Sequence, residues 1–134
     1  MASQLRALPA YVLVVEYFLG GIPRLSPVPL RALHERIRDK SRRTAPHLRP
    51  VFPFPPRGGS DADVRHQMRC IGALMVATGL LLALPATRGS PVTLALECFL
   101  TGAGAWSQMR AGLVYWLPCV NFVLAWVVWA MERR

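Results

Sequence analysis

The sequence predicts an all-α fold, a bundle of four transmembrane helices with a basic, proline-rich insert between the first and second helices. Charged side chains are nearly absent from four blocks, which are residues 8–22, 70–86, 92–109 and 111–131. Residues 23–69, by contrast, contain 11 of the 16 Lys and Arg side chains. A core built from 134 residues cannot easily bury so many uncharged blocks, whereas a bilayer accommodates them. We therefore expect a single membrane domain that spans residues 1–134.

The first span is predicted at residues 8–24. An apolar run near the N-terminus is also typical of a signal peptide, but only Arg6 precedes this run, Glu16 interrupts it, and no small-residue cleavage site follows. Pro23 is expected to end the helix because proline disfavours helical geometry in the residue before it.

Residues 26–65 are predicted to form a connector at the membrane interface. Within 26–45, Leu30, Leu33 and Ile37 recur at helical spacing opposite basic residues. This pattern fits a helix that lies in the headgroup plane, and it fits an ordinary solvated helix equally well. Residues 46–60 are rich in proline and are expected to be extended. Three apolar side chains of this stretch are expected to contact the interface: Val51, Phe52 and Phe54.

The other three spans are predicted at residues 68–86, 91–109 and 111–131, with Asp61 as a cap before the second helix. The stretches that join these three spans are short, and short connections make helices antiparallel neighbours. The residues around Pro85 to Pro91 are expected to form a tight turn.

The net charge of +9 suggests nucleic acid as a partner in a soluble protein. Here the basic residues flank apolar spans, so the expected partner is the lipid bilayer, and no nucleic-acid partner is expected. Residues 23–69 and Arg110 together carry 12 Lys and Arg side chains, against four on the opposite side. The positive-inside rule then predicts a cytosolic connector with both termini outside.

Cysteine and histidine spacing indicates neither a disulfide framework nor a metal site, and the sequence leaves the identity of any cofactor open. The cysteines are Cys70, Cys98 and Cys119, and the histidines are His34, His47 and His66. No CxxC pair occurs, and the histidines are too widely spaced for a convincing ligand set. We expect small apolar helix residues and solvated imidazoles instead.

Three features resemble the DoxX-like family of small four-helix integral membrane proteins. These are "GGIPRL" at Gly20–Leu25, a second helix that ends in "ATGLLLALPATR", and a Trp-rich helix pair at the end. The resemblance covers residues 8–25 and 66–131, and the insert at 26–65 departs from it. It implies a four-helix membrane bundle, in an orientation opposite to that from the charge rule. Some members of the family occur together with quinone or thiosulfate redox systems, and others with enzymes of small-molecule biosynthesis. The family has no shared catalytic motif.

One polar stripe stands out in the third span. Thr93, Glu97, Thr101, Gly104 and Gln108 follow one another at intervals of three or four residues, which places them on one helical face. Because exposing a charge to lipid costs roughly 2.5 kcal/mol or more, ionisable residues at this depth usually face the bundle interior or a wet cavity.

The stripe supports a catalytic hypothesis and a structural alternative. In the first, Glu97 and Glu16 are catalytic carboxyl groups that transfer protons. The pocket around them, which would bind a carbonyl or quinone oxygen, consists of Tyr17, Thr101, Gln108, Arg110 and Asn121. In the second, Glu97 only holds helices together through a hydrogen bond to Asn121 or Thr101.

Two functions remain open on the sequence alone. The first is an accessory role in a biosynthetic or redox pathway, in which the protein holds a lipophilic metabolite or a partner membrane enzyme. The second is a membrane-embedded enzyme, an isomerase, cyclase or oxidoreductase, that uses the two glutamates. A transporter is less favoured because the spans show no inverted repeat or broken helix.

Overall fold

The computed structural model describes residues 2–51 and 61–134. The helices are α1 (Ala2–Leu25), α2 (Arg31–Leu48), α3 (Asp61–Ala83), α4 (Pro85–Arg88), α5 (Pro91–Arg110) and α6 (Trp116–Glu132). No strand occurs in these two ranges, so the all-α prediction is confirmed for the part of the chain that is described.

Helices α1, α3, α5 and α6 form a closed ring. Helix α1 packs against α3 and α6, and α5 packs against the same two helices. Along α1 and α3 the contacts run in opposite directions, since Tyr17 lies against Gly79 whereas Gly21 lies against Gly72. The core of the ring contains Ala10, Leu13, Tyr17, Leu82 and Val128.

The closest approach of two backbones is between α1 and α3. A β-carbon at Gly72 would lie 2.9 Å from the carbonyl oxygen of Gly21, and one at Gly21 would lie 3.0 Å from that of Gly72. Neither carbonyl can move away without shifting its helix, so this contact requires glycine on both sides. By contrast, a β-carbon at Gly79 would make only ordinary contacts with Phe18, and one at Gly102 would meet nothing within 4 Å.

Helix α2 covers one end of the ring, where it contacts α1, α3 and α5. Its Ala45 forms a second apolar cluster with Val64 and Met68 of α3, and Ile37 packs against that cluster. The apolar face of α2 is therefore used, at least in part, to dock on the bundle, while Leu30 remains 42% exposed.

Several helix ends differ from the prediction for identifiable reasons. Helix α2 begins at Arg31 rather than near residue 26, because Pro27 and Pro29 each disfavour helical geometry in the preceding residue. Helix α6 begins at Trp116 rather than at 111, because residues 111–115 form a turn in which Gly112 has φ of +70°. That backbone conformation favours glycine.

Two further boundaries also moved. Helix α1 continues two residues beyond Pro23 to Leu25. The predicted tight turn after Leu84 contains the single-turn helix α4, after which Ser90 caps α5 by accepting a hydrogen bond from the Thr93 N–H at 3.1 Å. The predicted interface contacts of Phe52 and Phe54 lie outside the described residues.

Two helical segments are long and apolar enough to cross a membrane, Gln4–Leu25 and Asp61–Ala83. Helix α6 is a shorter apolar helix. Each of the ring helices α1, α3, α5 and α6 nevertheless exposes large apolar side chains. Examples are Leu5, Val15, Leu80, Val92 and Val123.

Candidate functional site

The polar stripe of α5 faces the inside of the ring. Thr93, Glu97 and Thr101 are 0%, 1% and 6% exposed, respectively. The Thr101 hydroxyl donates a hydrogen bond of 2.6 Å to the backbone carbonyl of Glu97, one turn earlier. This hydroxyl is therefore engaged with the helix itself and does not bind the Glu97 carboxyl group.

Glu97 and Tyr17 form the centre of the buried polar region. The Tyr17 hydroxyl lies within electrostatic reach of Glu97, Cys98 and Glu16, although α1 and α5 are opposite members of the ring. The hydroxyl of Tyr17 and the Oε1 atom of Glu97 are both buried, and neither has a hydrogen-bond partner among the described residues. Unpaired polar atoms in a low-dielectric interior cost roughly 1–3 kcal/mol each.

Glu16 and Asn121 form a second pair on the same side of the ring. The Glu16 carboxyl interacts with the side chain of Asn121. Oε2 of Glu16 and Oδ1 of Asn121 are also buried without a hydrogen-bond partner in the described part of the chain. Asn121 thus lies against Glu16, whereas the sequence alone left open whether it stands opposite Glu97.

Gln108 and Arg110 do not join this region. Gln108 follows Glu97 by eleven residues, which corresponds to ~16 Å along a helix that rises 1.5 Å per residue. The Arg110 side chain is exposed, with its guanidinium 5.3 Å from the centre of the Trp106 ring. Helical periodicity predicts the face on which Gln108 lies, but it does not account for distance along the helix axis.

Cys98 is the residue that sequence reasoning missed at this site. It was expected to serve only packing, yet its thiol interacts with the Trp126 side chain and lies within electrostatic reach of Tyr17. The sequence shows that Cys98 follows Glu97 directly, but it does not show that Tyr17 of α1 and Trp126 of α6 lie near Cys98.

The α2 end of the ring is strongly basic. The Arg24 guanidinium donates hydrogen bonds to the Gly20 carbonyl oxygen at 2.7 Å and to the Met75 sulfur at 3.3 Å. Partial burial, together with the nearby Arg24 guanidinium, lowers the pKa of Lys40. His34, expected to be solvated, donates from Nδ1 to the Pro23 carbonyl oxygen at 2.6 Å and so ties α2 to the end of α1.

Two cavities adjoin α2. One has a volume of about 60 Å³ and is lined by Arg38, Arg42, Asp61, Val64 and Arg65. The other, about 370 Å³, is lined by Pro27, Val28, Pro29, Arg31, His34, Glu35 and Arg38. Neither cavity includes Glu97 or Glu16. Among the described residues, no group of three His, Cys, Asp or Glu side chains is arranged to hold a metal ion.

Comparison with known proteins adds no relative to this description. No family model, no curated protein and no solved structure matches the chain.

Proposed function

We propose that the chain is a multi-pass integral membrane protein in which the ring helices α1, α3, α5 and α6 cross the bilayer. The apolar outer surface of the ring supports this proposal. Only 22% and 33% of the residues in the most apolar parts of α1 and α3 are buried, whereas the core helix of a soluble protein is mostly buried. Contiguous exposed apolar surface of this kind marks a membrane or protein interface.

Helices α5 and α6 complete the proposed set of four spans. They are 20 and 17 residues long, within the range of about 17–25 residues that crosses the hydrocarbon layer. Their outward positions include Val92 and Val123, which are 64% and 60% exposed. The glutamate that lowers the hydropathy of α5 is turned inward, so it does not face lipid.

Within the membrane, the function that the site supports best is an accessory role in a small-molecule biosynthetic or redox pathway. The protein would hold a lipophilic metabolite or a partner enzyme at the membrane. The burial of Glu97 carries this choice, because a carboxyl group that is 1% exposed and lines neither cavity is poorly placed to meet a substrate. The DoxX-like resemblance, which remains a prediction, points to the same role.

Metabolite profiling distinguishes this role from catalysis. A deletion strain is compared with strains that express Glu97→Gln or, as a control, Glu35→Gln, which changes an exposed acid on α2. Accumulation of each variant is verified by immunoblot. We expect the deletion alone to alter the profile, because scaffolding does not depend on the Glu97 carboxyl group.

A membrane-embedded enzyme is the second candidate, favoured by the four buried polar atoms that lack partners, one each on Glu16, Tyr17, Glu97 and Asn121. Such atoms could bind a polar group of a lipophilic substrate, with Glu16 and Glu97 transferring protons. If Glu97→Gln and Tyr17→Phe abolish a product while both proteins accumulate normally, the accessory role is wrong and this function replaces it.

Labelling tests the membrane crossing directly. In a background with all three native cysteines replaced by alanine, Val114→Cys marks the exposed α5–α6 turn at the α2 end of the ring, and Arg133→Cys marks the opposite end. A membrane-impermeant maleimide applied to sealed vesicles should label one of the two and reach the other only after permeabilisation. Equal labelling of both sites in sealed vesicles contradicts the four-span arrangement.

A further inference from the structure

Arg38 has an unusual position at the α2 end of the ring. Arg38 contributes to the lining of both cavities. Its Nε atom is buried without a hydrogen-bond partner, and no carboxylate forms an ion pair with it in the described part of the chain. A partly buried guanidinium without a counter-charge is costly, so it favours the binding of an anion at this place.

Two further arginines complete the lining of the smaller cavity. Arg42 is held by two long ion pairs of 3.4 Å, from its Nη1 to Asp39 and from its Nε to Asp61. Arg65 extends from the first turns of α3 and forms no ion pair with a described residue. Among the described residues, the cavity lining contains three arginines and one acid, Asp61, so these residues leave a net positive charge.

The size and chemistry of this cavity fit a phosphate group. A cavity needs roughly 10–15 Å³ to hold one water, so about 60 Å³ leaves room for a small polyatomic group. Guanidinium groups bind phosphate through paired, charge-assisted hydrogen bonds, and several from two elements converge here.

We propose that Arg38, Arg42 and Arg65 form a binding site for a phosphate group, supplied by the headgroup of an anionic phospholipid. The site lies at the end of the ring where α3 begins, and the outer surfaces of α1 and α3 are apolar. A bilayer around those helices brings headgroups to this level, where basic pockets between helices bind phosphorylated lipids. The proposal rests on the membrane placement proposed above, but it goes beyond the accessory role and does not depend on that role.

Ligand binding to the purified full chain in a neutral detergent tests the site. The probes are dioctanoyl phosphatidic acid, dioctanoyl phosphatidylcholine and inorganic phosphate, and bound ligand is counted by native mass spectrometry. We expect saturable binding of one phosphatidic acid in clear preference to phosphatidylcholine. Comparable binding of inorganic phosphate supports the site and assigns it to phosphate itself rather than to lipid.

The variants separate a built site from general attraction. Arg38→Gln should weaken phosphatidic acid binding by about tenfold or more, because it removes a charged hydrogen-bonding group. Arg36→Gln is the matched control, since Arg36 lies on the same helix, is exposed, and lines neither cavity. Arg65→Gln, at an exposed position that is tolerant of substitution, repeats the test if Arg38→Gln fails to fold.

Two results would overturn the proposal. In the first, Arg36→Gln weakens binding as much as Arg38→Gln and Arg65→Gln, which would mean attraction by net charge alone. In the second, phosphatidic acid and phosphatidylcholine bind equally to every variant. Neither result bears on the metabolite profiles, so failure of this site and failure of the accessory role are distinguishable.

Discussion

The α1–α3 pair and the α5–α6 pair are built differently. The first pair is in backbone contact at Gly21 and Gly72, whereas in the second a β-carbon at Gly104 would still be 3.7 Å from its nearest neighbour, Pro118. The second pair also carries Glu97 and Asn121, whose buried polar atoms lack partners. Buried polar atoms without partners also occur on Glu16 and Tyr17 of α1, so the two pairs differ in how closely their backbones approach and not in polarity.

Gly72→Leu should give the largest effect, because it tests the backbone contact of the tight pair. A side chain here meets the Gly21 carbonyl oxygen, which cannot move away alone. We expect a loss of about 3 kcal/mol in the free energy of unfolding, at the upper end of typical overpacking costs. Thermal unfolding in detergent micelles, followed by circular dichroism, measures it.

The matched control for this change is Gly102→Leu in the α5–α6 pair, where a β-carbon meets nothing within 4 Å. Its unfolding temperature should remain close to that of the parent protein. Equal losses from both substitutions would mean that the two pairs are packed alike.

Arg88→Gln tests the link between the two pairs and should rank second. Arg88 is 6% exposed, donates to the Leu82 carbonyl oxygen at 2.8 Å, and lies 3.5 Å from a carboxyl oxygen of Glu132 on α6. Loss of charged hydrogen bonds of this kind costs about 2 kcal/mol. Glu132→Gln should cost less, because it leaves the bond to Leu82 intact. If both variants unfold at the same temperature as the parent protein, the Arg88 contacts with α3 and α6 do not stabilise the association of the two helix pairs.

Glu97→Met should change stability in the opposite direction. Methionine has a similar shape, and it removes a buried oxygen atom that has no hydrogen-bond partner. Relief of that desolvation cost should raise the free energy of unfolding by about 1 kcal/mol. The same detergent unfolding assay applies, with Thr101→Val as a comparison that removes a hydroxyl already bonded to the backbone. A lower stability for Glu97→Met would show that the carboxyl group is satisfied in the folded protein.

Ser90→Ala should have the smallest effect, a loss of about 0.5–1 kcal/mol. The Ser90 hydroxyl caps α5 by accepting from the Thr93 N–H, and removal of such a cap leaves that donor unpaired. Ser90→Asp keeps an acceptor at this position and should restore stability. If alanine and aspartate behave alike, the start of α5 is held by other contacts.

Much of the local structure was predictable because short-range chemistry decides it. Apolar periodicity located all the long helices, and the intervals from Thr93 to Gln108 indicated one face of α5. Errors arose where backbone details competed with composition, as at Pro27 and Pro29 before α2 and at Gly112 before α6. The apolar residues around Gly112 favour a continuous helix, but the positive φ of Gly112 interrupts the helix there.

The site was predictable only in part. Glu97 was expected to face inward, and its side chain is indeed buried, at 1% exposed. The neighbours of Glu97 depend on how the other helices pack. Tyr17 of α1 lies near Glu97, whereas the exposed Arg110 side chain lies over the Trp106 ring. A linear spacing rule cannot register axial distance or the rotation of a neighbouring helix.

The sequence by itself determined the helical class, the apolar surface, the basic insert and the inward face of α5, because each follows from the periodicity of side chains along one element. Only the tertiary structure decided that Gly21 meets Gly72 and that Glu16 lies against Asn121. It also decided that Arg38 lines two cavities. These pairings depend on how rigid helices with specific side-chain shapes fit together, and that fit is a property of the whole ring rather than of any one segment.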